Sequence, residues 1–160
     1  MNAEAKPRIG FIGLGLMGHG MAKNLVTKGY PLTVCAHRNR KPLEDLLAAG
    51  AREVTTHAEL ARQSDIVFLC VTGTPQIESI VYGDTGLLAA AREGLIVVDT
   101  STAEPASTAA IRLDFGAKRA LFVDAPLART PVEAEQGRLN TMVGANTASS
   151  MPAPPGTATR

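Results

Sequence analysis

Short, continuous apolar runs alternate with helix-forming segments along most of this 160-residue chain. Strands that are apolar on both faces are typical of parallel sheets covered by helices. The runs lie at residues 8–14, 32–36, 65–71, 95–99, 121–123 and 141–143. Repeated strand–helix units of this kind predict an α/β fold with a Rossmann-type, doubly wound and mostly parallel sheet. Such sheets bind ligands beyond the carboxyl ends of their strands, so functional residues are expected there.

Helices are predicted between these runs from apolar spacing and from capping residues. Thr56 and Glu59 have the spacing of a capping box. Gly29 and Gly50 each follow a predicted helix in the position of a carboxyl-terminal cap. The predicted helices cover residues 17–28, 41–49, 57–63, 74–81 and 102–115.

The first predicted strand and helix are joined by the motif Gly13-Leu14-Gly15-Leu16-Met17-Gly18. In a dinucleotide site, Gly13 would allow the tight turn, Gly15 would let a pyrophosphate approach the backbone, and Gly18 would let the helix pack closely. The free N–H groups and the dipole of the helix would then face the phosphates. Residues 13–18 therefore predict a cofactor site, and the alternative is a glycine turn that binds nothing.

The segment Ala36-His37-Arg38-Asn39-Arg40, after the second predicted strand, indicates which cofactor to expect. A site for NAD usually has a carboxylate there to bind the ribose 2′-hydroxyl, but residues 29–43 contain none. Arg38 and Arg40, with Asn39 between them, could hold a 2′-phosphate, because guanidinium matches phosphate in a forked geometry. NADP is therefore the predicted cofactor and NAD the less favoured one. The alternative is a solvated basic turn that touches no ligand.

Two other predicted strand ends carry hydroxyl groups. Val71 ends the run 65–71 and Thr72 follows it, and both are predicted to pass the nicotinamide ribose. Thr102 is predicted to contact the cofactor, and Ser101 the substrate. For Thr74 and Thr102 the alternative interpretation is capping of the helices that follow.

Composition argues against several functional classes. Lys plus Arg number 16 and Asp plus Glu 15, and this near balance disfavours nucleic-acid binding. No apolar stretch reaches the ~18 residues of a membrane-spanning helix. Residues 1–6 lack the apolar core of a signal peptide, so no membrane association and a cytoplasmic location are expected.

The histidines and cysteines are weak candidates for chemistry. His19, His37 and His57 are each more typical of surface or packing positions than of catalysts. Cys35 and Cys70 lie inside apolar runs, which is typical of buried thiols. No metal site is expected, because the two cysteines do not have the spacing of a metal-binding pair.

The last residues differ from the rest in composition. Residues 145–160 contain three prolines, and Met151 is their only large apolar side chain. Such a segment cannot bury enough apolar surface to order itself. We therefore expect a cofactor-binding domain over residues 1–144 and a disordered tail over 145–160.

Several segments, in order, resemble the β-hydroxyacid dehydrogenase family, which includes 3-hydroxyisobutyrate dehydrogenase, tartronate semialdehyde reductase and the cofactor domain of 6-phosphogluconate dehydrogenase. They are the glycine motif continued by Met21-Ala22-Lys23-Asn24-Leu25, the segment Asp99-Thr100-Ser101-Thr102 with Pro105, and Asp124-Ala125-Pro126 with residues 134–144. The resemblance implies reversible, NAD(P)-dependent oxidation of a small hydroxy acid to the oxo acid.

Three departures from the family pattern matter. The family usually has Leu-Pro after the strand that ends here at Cys70, where this chain has Val71-Thr72-Gly73, and this difference alters the nicotinamide contact. The family usually has Ser-Gly-Gly where this chain has Ala128-Arg129-Thr130, and those groups hold the substrate carboxylate. Arg129 is kept as a candidate substrate ligand, with simple filling of the pocket as the alternative. The family also continues into a helical domain whose leading helix carries the catalytic lysine. No lysine of this chain falls at that place in the motif order, so no catalytic residue is predicted here.

Two classes of function follow from these observations. The first is the NADP-binding domain of a dehydrogenase-like oxidoreductase, truncated and poorly active alone. The second is a non-catalytic NADP-binding or interaction module, and a third possibility is an unstable fragment without a function. Homo-oligomers are also expected, because the absent helical domain would leave apolar surface exposed.

Overall fold

The computed structural model describes residues 5–35 and 39–144. The strands are β1 Ile9–Ile12, β2 Leu32–Cys35, β3 Arg52–Val54, β4 Ile66–Leu69, β5 Ile96–Asp99, β6 Leu121–Asp124, β7 Leu127–Ala128 and β8 Asn140–Thr141. The helices are α1 Leu16–Thr27, α2 Lys41–Ala48, α3 His57–Gln63, α4 Thr74–Tyr82, α5 Pro105–Ala117 and α6 Pro131–Glu135, with a 3₁₀ turn at Leu88–Ala90.

The main sheet has six strands in the order β3-β2-β1-β4-β5-β6, and every neighbouring pair is parallel. This order confirms the predicted Rossmann-type sheet, in which the strand order reverses beside β1. The crevice between the ends of β1 and β4 is where such sheets bind ligands. All carboxyl ends lie at one edge, so the glycine motif and the loops after β2, β4, β5 and β6 meet there.

Helices cover the two faces of the sheet with separate apolar cores. One core joins the sheet to α3, α4 and α5, with Leu60, Ile77 and Phe115 fully or almost fully buried. The other joins β1 and β2 to α1 and α2, and contains Phe11 and Leu43. Burial of β1 and β2 on both faces explains their uninterrupted apolar runs, whereas β4 and β5 alternate between buried and partly buried residues.

On the α1 side, the sheet face is only partly covered. Phe68, Val98 and Val123, on β4, β5 and β6, line a groove of about 490 Å³. Met21 of α1 and Leu139 also line this groove. An open apolar groove is therefore present beside the α1–α6 pair.

Four local expectations were wrong. β3 was not predicted, because two of its three residues are exposed. The short helix α6 was also missed. Helix α5 begins at Pro105 rather than at residue 102. Part of the strand expected at 141–143 instead pairs with β7 as β8, and within residues 5–35 and 39–144 a bridge from Gly144 to Asp124 is its one link to the main sheet.

Helix α6 packs directly on α1. The side-chain amide of Asn24 donates to the carbonyl oxygens of Ala134 at 3.0 Å and Glu135 at 3.1 Å. A Cβ atom on Gly20 would lie 2.7 Å from the backbone nitrogen of Glu135, so only glycine permits this approach. The segment after β6 is thereby held beside the beginning of α1.

Candidate cofactor site

Gly13 and Gly18 shape the turn between β1 and α1. Gly13 has φ +99°, a left-handed conformation that favours glycine. A Cβ atom there would lie 2.1 Å from the carbonyl oxygen of Cys70, at the end of β4. A Cβ atom on Gly18 would lie 1.8 Å from the carbonyl oxygen of Gly13. Both positions therefore require glycine because backbone atoms crowd them, as the sequence motif predicts for a tight turn and a closely packed helix.

Gly15 differs, because an added Cβ atom would meet no heavy atom within 4 Å. It is the N-cap of α1, it has no side chain to cap the helix, and the first turn contains no acidic residue. The first N–H groups of a helix have no partner within the helix and carry a partial positive charge. The structure thus leaves open space in front of these N–H groups, which suits the pyrophosphate of a dinucleotide.

A cleft of about 520 Å³ opens beside this turn. Its lining residues are Leu14, Gly15, Leu16, His19, Asn39, Lys41, Pro42, Asp45, Pro131 and Glu135. Met17 lies in the same first turn and is half-buried. The cleft therefore joins the predicted glycine motif to Asn39 and to the missed helix α6.

Two of the predicted 2′-phosphate ligands, Asn39 and Arg40, lie between the end of β2 and the start of α2. Arg38 falls outside the described residues. Asn39 accepts a hydrogen bond from the backbone N–H of Lys41 through its side-chain oxygen, at 3.2 Å. Arg40 donates two hydrogen bonds to the carboxylate of Glu53, at 3.0 and 3.1 Å, and this contact lowers the pKa of Glu53.

Glu53 is a functional candidate that the sequence analysis missed. It lies on β3 and pairs in register with Val34 of β2, one strand away from the expected carboxylate position. It lies outside residues 29–43, the segment in which a carboxylate for the ribose 2′-hydroxyl is expected. Prediction of β3 would have revealed a carboxylate competing with phosphate for Arg40.

The ends of β4 and β5 are joined by hydrogen bonds. The backbone N–H of Val71 donates to the hydroxyl oxygen of Ser101 at 2.9 Å. The hydroxyl of Thr100 donates to the carbonyl oxygen of Leu69 at 2.5 Å. Ser101 is buried, whereas Thr72 and Thr102 are exposed at the same edge. The structure therefore brings Val71 and Ser101 together and leaves the two threonines accessible.

The capping alternatives for Thr74 and Thr102 were wrong. The N-cap of α4 is Gly73, and the N-cap of α5 is Glu104. The hydroxyl oxygen of Thr74 instead accepts a hydrogen bond from the backbone N–H of Glu104 at 2.9 Å. Thr74 thus ties the start of α4 to the start of α5.

Asp99, the last residue of β5, is fully buried at this edge. One carboxylate oxygen accepts a hydrogen bond from the N–H of Ser101 at 2.9 Å. The other has no hydrogen-bond partner among the described residues. Burial raises the pKa of Asp99, and the neighbouring Asp124 raises it further. Its place in the Asp-Thr-Ser-Thr segment was the only sequence signal for it.

Arg129 lies after β7, with φ +92°, a backbone conformation that a non-glycine residue seldom adopts. Its guanidinium lies 3.2 and 3.3 Å from the side-chain oxygen of Asn140 when that amide is oriented to accept. The side chain is exposed, so it is accessible to a ligand. Arg129 is not among the residues that line the cleft beside the glycine motif, and its role toward a substrate stays a prediction.

The described residues offer neither a metal-binding cluster nor a membrane-spanning helix. Within residues 5–35 and 39–144, no three His, Cys, Asp or Glu side chains gather closely enough to hold a metal ion. None of the helices in the described part of the chain combines the length and apolar character needed to cross a bilayer.

The sequence of the chain matches one family model over residues 8–155. That model describes the NAD binding domain of 6-phosphogluconate dehydrogenase. Similar proteins include a 2-hydroxy-3-oxopropionate reductase of Escherichia coli (strain K12), which is 36% identical over 142 residues and aligns with 88% of this chain and 48% of its own length. A 2-(hydroxymethyl)glutarate dehydrogenase of Eubacterium barkeri is 36% identical over 146 residues, which are 91% of this chain and 48% of that enzyme.

Solved structures also match the chain over about half of their own length. A structure described as Psf3 in complex with NADP+ and 2-OPP has a TM-score of 0.81 and 30% identity, over 88% of this chain and 50% of that one. The 3-hydroxyisobutyrate dehydrogenase of Mycobacterium tuberculosis with L-serine has a TM-score of 0.79 and 25% identity, over 90% of this chain and 48% of that one. The chain thus spans about half the length of the proteins it matches.

Proposed function

The chain belongs to the family of the NAD binding domain of 6-phosphogluconate dehydrogenase, and on that premise we propose that it binds NADP(H) at the carboxyl edge of its sheet. The resemblance to hydroxyacid dehydrogenases is confirmed, and the chain is an NAD(P)-binding domain of that kind of oxidoreductase. The preference for NADP, the residues that hold it and the reaction are the proposed parts.

The stereochemistry of the glycine motif carries the proposal. Gly13 and Gly18 are confined by backbone atoms, whereas Gly15 faces open space at the uncapped start of α1. A turn needed only to connect a strand with a helix would not require that space. Residues 13–18 fit a pyrophosphate, because its charge would meet unpaired N–H groups at the positive end of a 12-residue helix.

NADP is favoured over NAD by the charge at the end of β2. Arg38 and Arg40 would pair with the 2′-phosphate, and Asn39 would line its approach. Arg40 now donates both hydrogen bonds to Glu53, so phosphate would compete with that carboxylate. A doubly charged phosphate is the stronger partner for a forked guanidinium. One structural neighbour is described as holding NADP+, which supports this choice.

The proposed reaction is hydride transfer between the nicotinamide and a small hydroxy or oxo acid. The relatives named above are a reductase and a dehydrogenase of such acids. When bound, the nicotinamide would supply the hydride acceptor or donor. Val71, Thr72 and Thr102 would position it, while Ser101 and Arg129 would bind the substrate. The cytoplasmic location, the domain limit at residue 144 and self-association stay predictions.

Calorimetric titration with NADPH and, separately, NADH tests the cofactor proposal. We expect NADPH to bind more tightly, and Arg40→Gln to weaken NADPH binding roughly 10- to 100-fold, the usual value of a hydrogen bond to a charged group. Arg62→Gln, which removes the same charge from the last turn of α3, is the control. Equal affinity for NADH, or an unchanged Arg40→Gln variant, would refute the preference for NADP. Failure of both cofactors to bind the folded chain would refute the function itself.

A further inference from the structure

Glu53 carries a carboxylate at the outer edge of the main sheet, close to the proposed site for the 2′-phosphate. It lies on the edge strand β3, in register with Val34 of β2. Successive side chains of a strand point to opposite faces of the sheet. Val54 belongs to the core on the α3 side, so Glu53 points to the other face, which α2 covers. On that face it reaches Arg40, the residue that immediately precedes α2.

Glu53 holds the guanidinium of Arg40. The Nη1 and Nη2 atoms of Arg40 each donate a hydrogen bond to one oxygen of the Glu53 carboxylate, at 3.0 and 3.1 Å. This is the forked arrangement in which arginine also binds phosphate. The backbone of Arg40 is held separately, because its carbonyl oxygen accepts a hydrogen bond from the N–H of Glu44 at 2.9 Å. A phosphate that arrives at Arg40 therefore finds both terminal nitrogens engaged by a carboxylate.

This ion pair is open to water, so a ligand can replace one of its partners. The Arg40 side chain is 56% exposed and that of Glu53 is 31% exposed. Ion pairs at a surface are weak, so a phosphate with two negative charges can displace the carboxylate. The displacement is opposed, because Glu53 then loses its partner and stays near a second anion. This opposition applies only to a cofactor with a 2′-phosphate, since the 2′-hydroxyl of NAD carries no charge.

We propose that Glu53 is a specificity-determining residue, which lowers the affinity for NADP(H) by competing with the 2′-phosphate for Arg40 and so narrows the preference over NAD(H). This inference rests on the proposed NADP(H) site. Discrimination between two ligands is the difference between their binding free energies, and a group that opposes only one of them changes that difference. Glu53 therefore makes the preference for NADP(H) smaller than Arg40 alone would give.

Glu53→Gln separates this role from folding. The substitution removes the charge but keeps the size of the side chain, and the amide oxygen can still accept a hydrogen bond from Arg40. Glu53 is exposed, and the apolar packing of β3 is made by Val54. We therefore expect Glu53→Gln to fold as the wild type does, which circular dichroism and thermal unfolding check.

The test is calorimetric titration of the wild-type chain, Glu53→Gln, Arg40→Gln and the double variant with NADPH and, separately, NADH. The double variant shows whether Glu53 acts through Arg40, because two residues that act through one contact have non-additive effects. Glu44→Gln is the matched control for charge. Glu44 lies in the first turn of α2, and its charge, like that of Glu53, raises the pKa of Arg40.

We expect Glu53→Gln to bind NADPH about two- to fivefold more tightly than the wild type, the usual range for one exposed ion pair, and to bind NADH with unchanged affinity. In the Arg40→Gln background the same substitution should leave NADPH affinity nearly unchanged. Glu44→Gln should gain less affinity for NADPH than Glu53→Gln does.

An unchanged or weaker affinity of Glu53→Gln for NADPH would overturn the inference, as would an equal gain for NADH. The same gain in the Arg40→Gln background, or in Glu44→Gln, would show a general effect of charge and would also overturn it. Each of these outcomes leaves the cofactor site itself intact. Absence of binding of both cofactors by the folded wild type would instead overturn the proposed function.

Discussion

At the scale of single residues, the three glycines of the motif serve different physical purposes. Gly13 and Gly18 are fixed by contacts within the protein, and a side chain at either would collide with a carbonyl oxygen. Gly15 has no such contact, and the proposed pyrophosphate would account for the absence of a side chain at that position. Fold and binding can therefore be separated by substitution.

Gly15→Ala should lower the free energy of unfolding by less than about 1 kcal/mol, because glycine is a better N-cap residue than alanine but no atom crowds the added methyl group. It should weaken NADPH binding at least about tenfold, because the methyl group occupies the approach of the pyrophosphate. Gly18→Ala should lower the free energy of unfolding by about 1–3 kcal/mol, because the added methyl group forces the carbonyl of Gly13 away from α1. Urea unfolding and calorimetry measure both effects. Loss of stability in Gly15→Ala without loss of affinity would contradict the assignment.

Because burial raises the pKa of Asp99, we expect the free energy of unfolding to depend on pH. Its raised pKa means that the folded chain holds this proton more tightly than the unfolded chain does. The stabilisation is complete below the carboxyl pKa of the unfolded chain, about 4, and is lost as pH rises through the higher pKa of the folded state.

Asp99→Asn cannot ionise, so it should gain stability relative to the wild type as pH is raised from about 4 to about 7. Urea unfolding of both proteins across that range measures the change, and exposed Asp84→Asn is the control. A constant difference between Asp99→Asn and wild type at all pH values would show that the buried carboxyl does not titrate in this range.

At the scale of elements, the sequence predicts the strands that have a continuous apolar run and misses the elements that have none. The apolar runs of β1, β2, β4 and β5 identify the central sheet without help from tertiary contacts. β3 reads Arg-Glu-Val and forms only because β2 offers a free edge. Helix α6 has five residues, too few to show an apolar period, and its position depends on Gly20 of α1.

The candidate site also contains residues that the sequence predicts and residues that it does not. Local spacing predicts the glycine motif, because its residues are consecutive and their stereochemistry is local. The neighbours Glu53, Asp45 and Glu135 could not be predicted, because β3, α2 and α6 bring them in from distant parts of the chain. Asp99 was visible only as part of a motif, since its burial depends on the whole sheet.

Gly20→Ala tests whether α6 forms part of the cofactor site. The added methyl group meets backbone atoms of Ala134 and Glu135 at 2.7 to 3.1 Å, so α6 must move. We expect faster amide hydrogen exchange in α6 and weaker NADPH binding, with the exchange of the central strands unchanged. Gly116→Ala in α5, where nothing lies within 4 Å, is the control and should gain roughly 0.5–1 kcal/mol. Unchanged exchange in α6 would contradict the proposed contact.

At the scale of the whole molecule, the chain matches about half of each relative, so cofactor binding and turnover are separate questions. A positioned acid or base contributes a factor of about 10²–10⁴ in rate, and the expected lysine has no counterpart among the lysines of this chain. We expect the purified chain to bind NADPH and to oxidise small hydroxy acids at least about 100-fold more slowly than a full-length relative assayed beside it.

Absorbance of NADPH at saturating cofactor and hydroxy acid measures this rate. Rapid turnover by the 160-residue chain alone would show that a group within it carries the proton. Binding without turnover agrees with a cofactor domain that needs a second part. It agrees equally with a non-catalytic module, which addition of the missing half of a relative would not activate.

The contact between Gly13 and Cys70 has a consequence for the order of events during synthesis. The proposed phosphate-binding turn lies within the first 18 residues, but Gly13 packs against the carbonyl group of Cys70, which is synthesised much later. Parallel strands pair late, because the chain between them must first be closed into a loop. A ribosome has therefore released the whole glycine motif long before the turn can acquire its shape, and α1 receives its partner α6 later still.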